Sequence, residues 1–275
     1  MLICIAGKND IAVAILEEVL ELSKRDSKLD VCVLLNNEDT KRNGWQKSLA
    51  YYADLYDVRK VKLEEIYEEE NMLFLSLECD KIINVNKFKS KKLINIHFSL
   101  LPKYKGCYTA IHPILHGEKE SGVTLHKIEK GIDTGDLIEQ IKFDITDINS
   151  YQLYQKCMET GIELVKKWLK TLIYDFETII FTKQNSECSS YYSRESIDFS
   201  DIKINWKKTA YQIKKYILAF SFEPYQLVKV NEMRIAGCRI TNCKSTEKPG
   251  TIVINEEKYV QIATIDYDIV LYKSN

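Results

Sequence analysis

Asn95 and His97 interrupt an otherwise apolar run, Leu93-Ile94-Asn95-Ile96-His97-Phe98. A strand buried on both faces tolerates polar residues poorly unless they have work or partners. Two apart in a strand, they project from the same face, with Ile96 pointing into the other layer. An amide can donate an N–H to an oxyanion, and an imidazole exchanges protons near neutrality. Further along, Gly131-Ile132-Asp133-Thr134-Gly135-Asp136 forms a glycine-flanked segment carrying carboxylates. A carboxylate near an imidazole orients it and raises its basicity, as general-base catalysis requires. Taken singly, His97 also reads as a satisfied structural histidine and the glycine-flanked segment as a turn. Their combination is what points to chemistry.

Such side chains need a rigid frame. Leu2 to Gly7 (LICIAG) reads as a buried strand, and Ile11, Ala14, Ile15, Glu18, Val19 and Leu22 then fall near helical spacing, with Asn9 or Asp10 placed to cap. Val31 to Asn36 is a second strand, and strand, helix, strand at this spacing begins a parallel α/β sheet. Leu73 to Ile83 and Lys92 to Phe98 supply two more strands, the latter ending in SLLPKYKG, and open α/β sheets bind ligands at strand carboxyl ends. No G-x-G-x-x-G is present, which argues against dinucleotide binding. Between Asp147 and Tyr174, Leu153, Cys157, Ile162, Val165, Trp168, Leu169 and Leu172 trace one helix face, with Asn149 or Ser150 as cap. After a polar stretch, a helix from Thr209 to Phe220 precedes five short strands: Leu227 to Val230, Met233 to Thr241, Gly250 to Asn255, Tyr259 to Thr264 and Tyr267 to Tyr272. The expected architecture is α/β: a Rossmann-like domain over residues 1–190 and a smaller, mostly β module over 191–275.

Composition narrows the function. A formal net charge of -1 over 275 residues argues against a chain devoted to nucleic acid. The start, MLICIAGKND, has no positively charged segment before an apolar core and no small-residue cleavage site, so it does not read as a signal peptide, and no apolar run approaches the roughly 18 residues of a membrane span. A cytoplasmic protein that does not enter membranes is expected. Eight cysteines lack C-x-x-C spacing and read as reduced, mostly buried thiols. His112 and His116 are four apart, but Pro113 follows His112 and no Glu stands beside it, so no metal site is expected. Lys8 and Asn9, at a strand-to-helix turn, could meet an anion such as a pyrophosphate or form an ordinary cap.

The ordered motifs Asn95-x-His97, Leu101-Pro102-Lys103-Tyr104-Lys105-Gly106, Gly122-Val123-Thr124-Leu125-His126 and Gly131-Ile132-Asp133-Thr134-Gly135-Asp136 resemble the folate-dependent formyltransferase family. The resemblance covers roughly residues 1 to 190 and aligns Asn95, His97 and Asp133 with the family's catalytic triad. It implies 10-formyltetrahydrofolate as formyl donor, its pterin lying against backbone of Leu77, Glu78, Cys79 and Asp80 and of the loop containing Ile128, Ile132 and Asp133. Within the family, Asn95 to Gly106 with Tyr108 and Thr109 looks most like the sugar N-formyltransferases, and Phe220-Ser221-Phe222-Glu223-Pro224-Tyr225 is similar to their aromatic segment near the nucleotide. His112 departs from the bulky aromatic or aliphatic residue that related sequences often carry.

The resemblance thus implies formyl transfer, by direct attack through a tetrahedral intermediate, to the amine of a nucleotide-linked amino sugar, with dTDP the expected nucleotide. Glycan or lipopolysaccharide biosynthesis would be the setting. Asn95 would donate to the oxyanion, Asp133 would hold the imidazole, and His97 would act either as base or as oxyanion stabiliser. Tyr108 and Thr109 are candidates for sugar contact. Phe222 and Tyr225 either stack on a pyrimidine or pack in the core. A methionyl-tRNA formyltransferase is the alternative. Residues 196–275 hold 12 Lys and Arg against 9 Asp and Glu, a thin cationic excess for gripping tRNA. A glycinamide ribonucleotide transformylase would leave the C-terminal module unexplained, and a catalytically dead binding module would leave the three polar residues idle. Five short strands and one helix make a marginal core alone, so a homodimer through them is expected.

Overall fold

A computed structural model describes residues 1–274 of the chain. It divides into two compact units that interleave in sequence: residues 1–106, 122–142 and 156–191 form one, and 107–121, 143–155 and the described residues from 192 onward the other. The sequence reading placed a single boundary after residue 190. Two stretches before that boundary group with the C-terminal residues instead.

The first unit is built on a seven-stranded sheet. Strands β1 (Leu2–Gly7), β2 (Asp30–Leu35), β3 (Arg59–Lys60), β4 (Met72–Leu77) and β5 (Lys92–His97) lie in the order β3-β2-β1-β4-β5, all parallel. The strands Glu120–Lys127 and Leu137–Asp144 extend it beyond β5, the former antiparallel to β5. β1 and β4 are buried at every position, in keeping with sequences that are apolar throughout in β1 and interrupted only by Ser76 in β4. The chain leaves β1 toward one edge and returns at β4 toward the other, so the carboxyl ends of β1 and β4 form the switch point where such sheets open a crevice.

Alternation along the strands assigns the two faces. Cys4, Ala6, Leu34, Phe74 and Leu93 belong to one hydrophobic cluster, packed by Phe88 and Ile66. Asn95 and His97 continue the Leu93 face, whereas Ile94 and Ile96 belong to the opposite one. There Gly161 is close-packed: a Cβ on it would lie 3.1 Å from Ile11 and 3.2 Å from Phe98.

Helix α1 (Asn9–Ser23) buries Ile11, Ala12, Val13, Ile15, Leu16 and Val19, and α2 (Leu49–Leu55) begins at Ser48, whose hydroxyl accepts the Tyr51 N–H. α1 corrects an expectation. Its capping position is Lys8, with no side-chain cap bond. Asn9 instead donates to Glu78 and Asp10 accepts from the Lys47 N–H. The helix Ser150–Tyr174 is capped by Asn149, which accepts from the Gln152 N–H at 2.8 Å while Gln152 accepts the Asn149 N–H at 2.9 Å. The strand expected to reach Ile83 stops at Leu77, where Glu78 takes a left-handed φ of 59° and turns the chain.

In the second unit a five-stranded sheet runs in the order Lys229–Val230, Met233–Ile240, Ile269–Lys273, Tyr259–Ile262, Ile252–Asn255, its resolved pairings antiparallel. The helix Ala210–Ala219, held by a Thr209/Gln212 capping box, contributes Ile213 and Ile217 to a core with Ile235, Val260, Ile262 and Leu271. All eight cysteines are free thiols. Cys4 and Cys32 face each other across β1 and β2, and their mutual hydrogen bond, with burial, pushes the Cys4 thiol well up. Among the described residues no helix is long and apolar enough to cross a membrane.

Candidate active site

In the register of β5 with Glu120–Lys127, Asn95 lies opposite His126 and His97 opposite Thr124. Opposite residues share a face, so these four polar side chains gather on one surface. His97 and His126 are buried, at 8% and 2% exposure.

Both nitrogens of His97 are engaged. Nε2 lies 2.8 Å from the Tyr104 carbonyl oxygen, which can only accept, so Nε2 carries the hydrogen. Nδ1 faces Asp133 Oδ2 at 3.4 Å. That carboxylate oxygen also accepts the Gly106 N–H at 2.9 Å. The other, Oδ1, lies 3.4 Å from Asn95 Nδ2, which in turn stands 3.0 Å from His126 Nε2. The structure therefore brings Asn95, His97 and Asp133 together across separations of 2 to 38 residues in sequence.

Supports surround the three. Asp133 has a left-handed φ of 53°, a conformation a non-glycine residue keeps only when its surroundings hold it. Gln184 is the clamp: its Nε2 donates to the carbonyls of Asp133 at 2.9 Å and Gly135 at 2.8 Å. Gly135 has no room for a side chain, since a Cβ would lie 2.0 Å from the Lys127 carbonyl oxygen. The segment after β5 is tied down by Thr124, whose hydroxyl donates to Ser99 O at 2.6 Å and accepts from the Leu101 N–H at 3.2 Å. Burial, aided by the neighbouring His97, pushes His126 down to about 4 against the opposing pull of Asp133, so this ring is neutral.

Reasoning from sequence did not assign roles to His126, Gln184, the Tyr104 carbonyl or the Gly106 N–H. His126 lay in a quoted motif and its register partner is a site residue, a usable signal. Gln184 sits in a polar segment without periodicity, and backbone groups leave no trace in residue type.

At the β1/β4 crevice, Gly7 approaches β4 so closely that a Cβ would lie 1.8 Å from Leu77 O. The Lys8 N–H donates to that same carbonyl at 3.1 Å, and Asn9 Nδ2 donates to Glu78 Oε2 at 2.9 Å. Asn36 holds the next stretch, donating to Glu78 O at 2.8 Å and accepting the Asp80 N–H at 3.1 Å. Cys79 and Ile128 both pack on the cluster containing Phe88 and Leu93, while Ile132 is exposed. Apolar side chains backed by turning main chain suit a flat heterocycle with polar edges, so the residues expected to hold the pterin fit that group.

The remaining expected substrate residues lie in the second unit. Tyr108 takes a φ of 58°, meets Phe199 edge-to-face at 5.3 Å, and has its phenol raised by burial. Thr109 follows it, half-buried. Phe222 is buried against Tyr151 and Tyr154, which makes it a packing residue. Tyr225 stacks on Phe222 at 5.2 Å and is 68% exposed. His112 stacks on Tyr192 at 3.8 Å, and burial pushes it down to about 4.

A parallel-dominated α/β sheet of the Rossmann-like class thus sets an amide and an imidazole each against one carboxylate beside a strand end, a site suited to acyl-group chemistry. The formyl transferase family matches residues 58–168, and the formyl transferase C-terminal domain matches 196–274. Over the whole chain the protein is 40% identical to WlaRD, a sugar 3N-formyl transferase solved with dTDP and 5-N-formyl-THF, with a TM-score of 0.90 and 98% of that chain covered. It is 42% identical, again with a TM-score of 0.90 and full coverage of both chains, to an N-formyltransferase from Helicobacter canadensis solved with folinic acid and dTDP-3-aminofucose. A methionyl-tRNA formyltransferase from Legionella pneumophila is 31% identical over 183 residues, 66% of this chain and 57% of that protein, so the match spans little over half of that relative's length. The chain belongs to the formyl transferase family.

Proposed function

We propose that the protein transfers the formyl group of 10-formyltetrahydrofolate to the amine of a nucleotide-linked amino sugar carried on dTDP. The observation that carries this reading is the end-to-end likeness, at 40% and 42% identity, to two proteins solved with formylated folates and with dTDP or a dTDP-amino sugar. When bound, the folate would supply an electrophilic formyl carbon and a leaving nitrogen that takes up the proton the amine gives up. The chain's own groups do the rest. His97 Nδ1, already facing Asp133, exchanges the proton that the attacking amine must lose, and the Asp133 carboxylate stabilises the ring once it is charged. Asn95 supplies an N–H to the formyl oxygen as negative charge gathers there. Its contact with Asp133, at 3.4 Å, is the looser of its two, and is the one an oxyanion would take over.

Leu77 to Asp80, Ile128, Ile132 and Asp133 are the proposed pterin contacts. Lys8 at the head of α1 is the proposed contact for a phosphate; Asn9, turned to Glu78, acts there through that carboxylate's position. Tyr108 and Thr109 are assigned to the sugar and Tyr225 to the base. We place the enzyme in the cytoplasm, as a homodimer through its C-terminal sheet, in the assembly of a lipopolysaccharide or other glycan. Incubation with 10-formyltetrahydrofolate and a panel of dTDP-amino sugars, read by mass spectrometry with His97→Ala alongside, tests the function. One formyl mass gained on one sugar and lost in the variant supports it. Product only with aminoacylated tRNA would replace the sugar by tRNA.

A further inference from the structure

The tautomer of His126 is dictated by its surroundings. Its Nδ1 lies 2.7 Å from the Lys127 carbonyl oxygen, an acceptor only, so Nδ1 carries the ring hydrogen. In a neutral imidazole the other nitrogen then has only a lone pair to offer. That nitrogen, Nε2, sits 3.0 Å from Asn95 Nδ2, so the bond runs from the amide N–H to the ring. Asn95 and His126 are register partners on adjacent strands, which keeps this pairing short and specific.

An asparagine amide has a donor end and an acceptor end of nearly the same shape. Only one of the two orientations presents an N–H toward Asp133 and the space beside it. We propose that His126 is a positioning residue that fixes the donor end of the Asn95 amide toward the reacting carbonyl. The inference rests on the assignment of Asn95 to the reacting centre. A charged ring would offer two N–H groups, repel the amide N–H and draw in its oxygen, turning an acceptor toward the site. Burial keeps the ring neutral; of the charged or titratable groups around it, His97 and Lys105 favour the neutral form and Asp133 opposes it.

The test uses the full chain in three forms: wild type, His126→Leu and His126→Gln. Leucine removes the acceptor at similar size, whereas the glutamine carbonyl can restore one near the Nε2 position. His126→Leu should lower kcat about 10²-fold, as a misplaced reacting group does, with little change in KM for folate or sugar. His126→Gln should recover most of that loss. Full kcat in a folded His126→Leu, or equal loss in both variants, overturns the proposal. Nitrogen-15 spectra of wild-type histidine rings provide a readout independent of folding of the variants. A protonated Nδ1 and bare Nε2 at His126 is expected, and the reverse tautomer overturns the proposal. Absence of formylation by the wild type would instead overturn the assigned function, and the ring spectrum would still decide the His126–Asn95 geometry.

Discussion

His97 Nδ1 and Asp133 Oδ2 face each other at 3.4 Å across 36 residues of chain, and the same carboxylate oxygen holds the Gly106 N–H at 2.9 Å. Asp133 thus ties the loop that follows β5 to the imidazole at its end.

Replacing Asp133 by Asn keeps the shape but removes the charge that steadies an imidazolium. Steady-state kinetics should find kcat lowered at least about 10²-fold, in the range of a lost acid–base function, with KM for the amino sugar little altered. Unchanged kcat would remove Asp133 from the reaction.

Gln184 acts on the site only through the backbone. In Gln184→Leu, the carbonyls of Asp133 and Gly135 lose their shared donor. Chemical denaturation should register a loss of about 1–3 kcal/mol for the unsatisfied groups. kcat should fall more than that loss implies for the folded fraction, because the left-handed Asp133 is no longer held.

His126 makes stability depend on pH. Its folded pKa, about 4, lies below the ordinary value of 6.5, so the unfolded chain binds the extra proton first. The contribution is complete above pH 6.5 and is lost as pH falls toward 4. Over that window it amounts to on the order of 3 kcal/mol. Denaturant midpoints across the window should fall in the wild type and fall less in His126→Gln.

Gly7→Ala places a Cβ 1.8 Å from the Leu77 carbonyl oxygen. β1 and β4 would have to part at the crevice, costing at least about 3 kcal/mol. A thermal melt within a degree of wild type would contradict the close approach.

Tyr225 is exposed while its stacking partner Phe222 is buried. Tyr225→Ala should raise KM for the nucleotide sugar about 5- to 150-fold, corresponding to about 1–3 kcal/mol of base stacking. The melting temperature should change little, in contrast to Phe222→Ala.

Residue types and spacing alone determined a good deal about this protein. The apolar run Leu2 to Gly7 marked β1 as a buried strand, because a strand covered on both faces carries such a sequence. The period of two in Asn95-Ile96-His97 placed both polar side chains on one face, and the resemblance of the ordered motifs to the formyltransferase family pointed to Asp133. Tertiary structure decided the rest. Asn9 resembles a helix cap in isolation, but Glu78, 69 residues on, takes its side chain. Phe222 and Tyr225 are equivalent aromatics in sequence, and only packing against Tyr151 and Tyr154 separates the buried one from the exposed one. The clamp of Gln184 on Asp133 and the Gly106 N–H bond to the Asp133 carboxylate join groups 51 and 27 residues apart. Nearer in sequence, the Lys127 carbonyl that sets the His126 tautomer and the Tyr104 carbonyl that accepts from His97 are main-chain groups that every residue possesses. Periodicity encodes which face a side chain takes; which partner waits on that face is encoded only in how the faces meet.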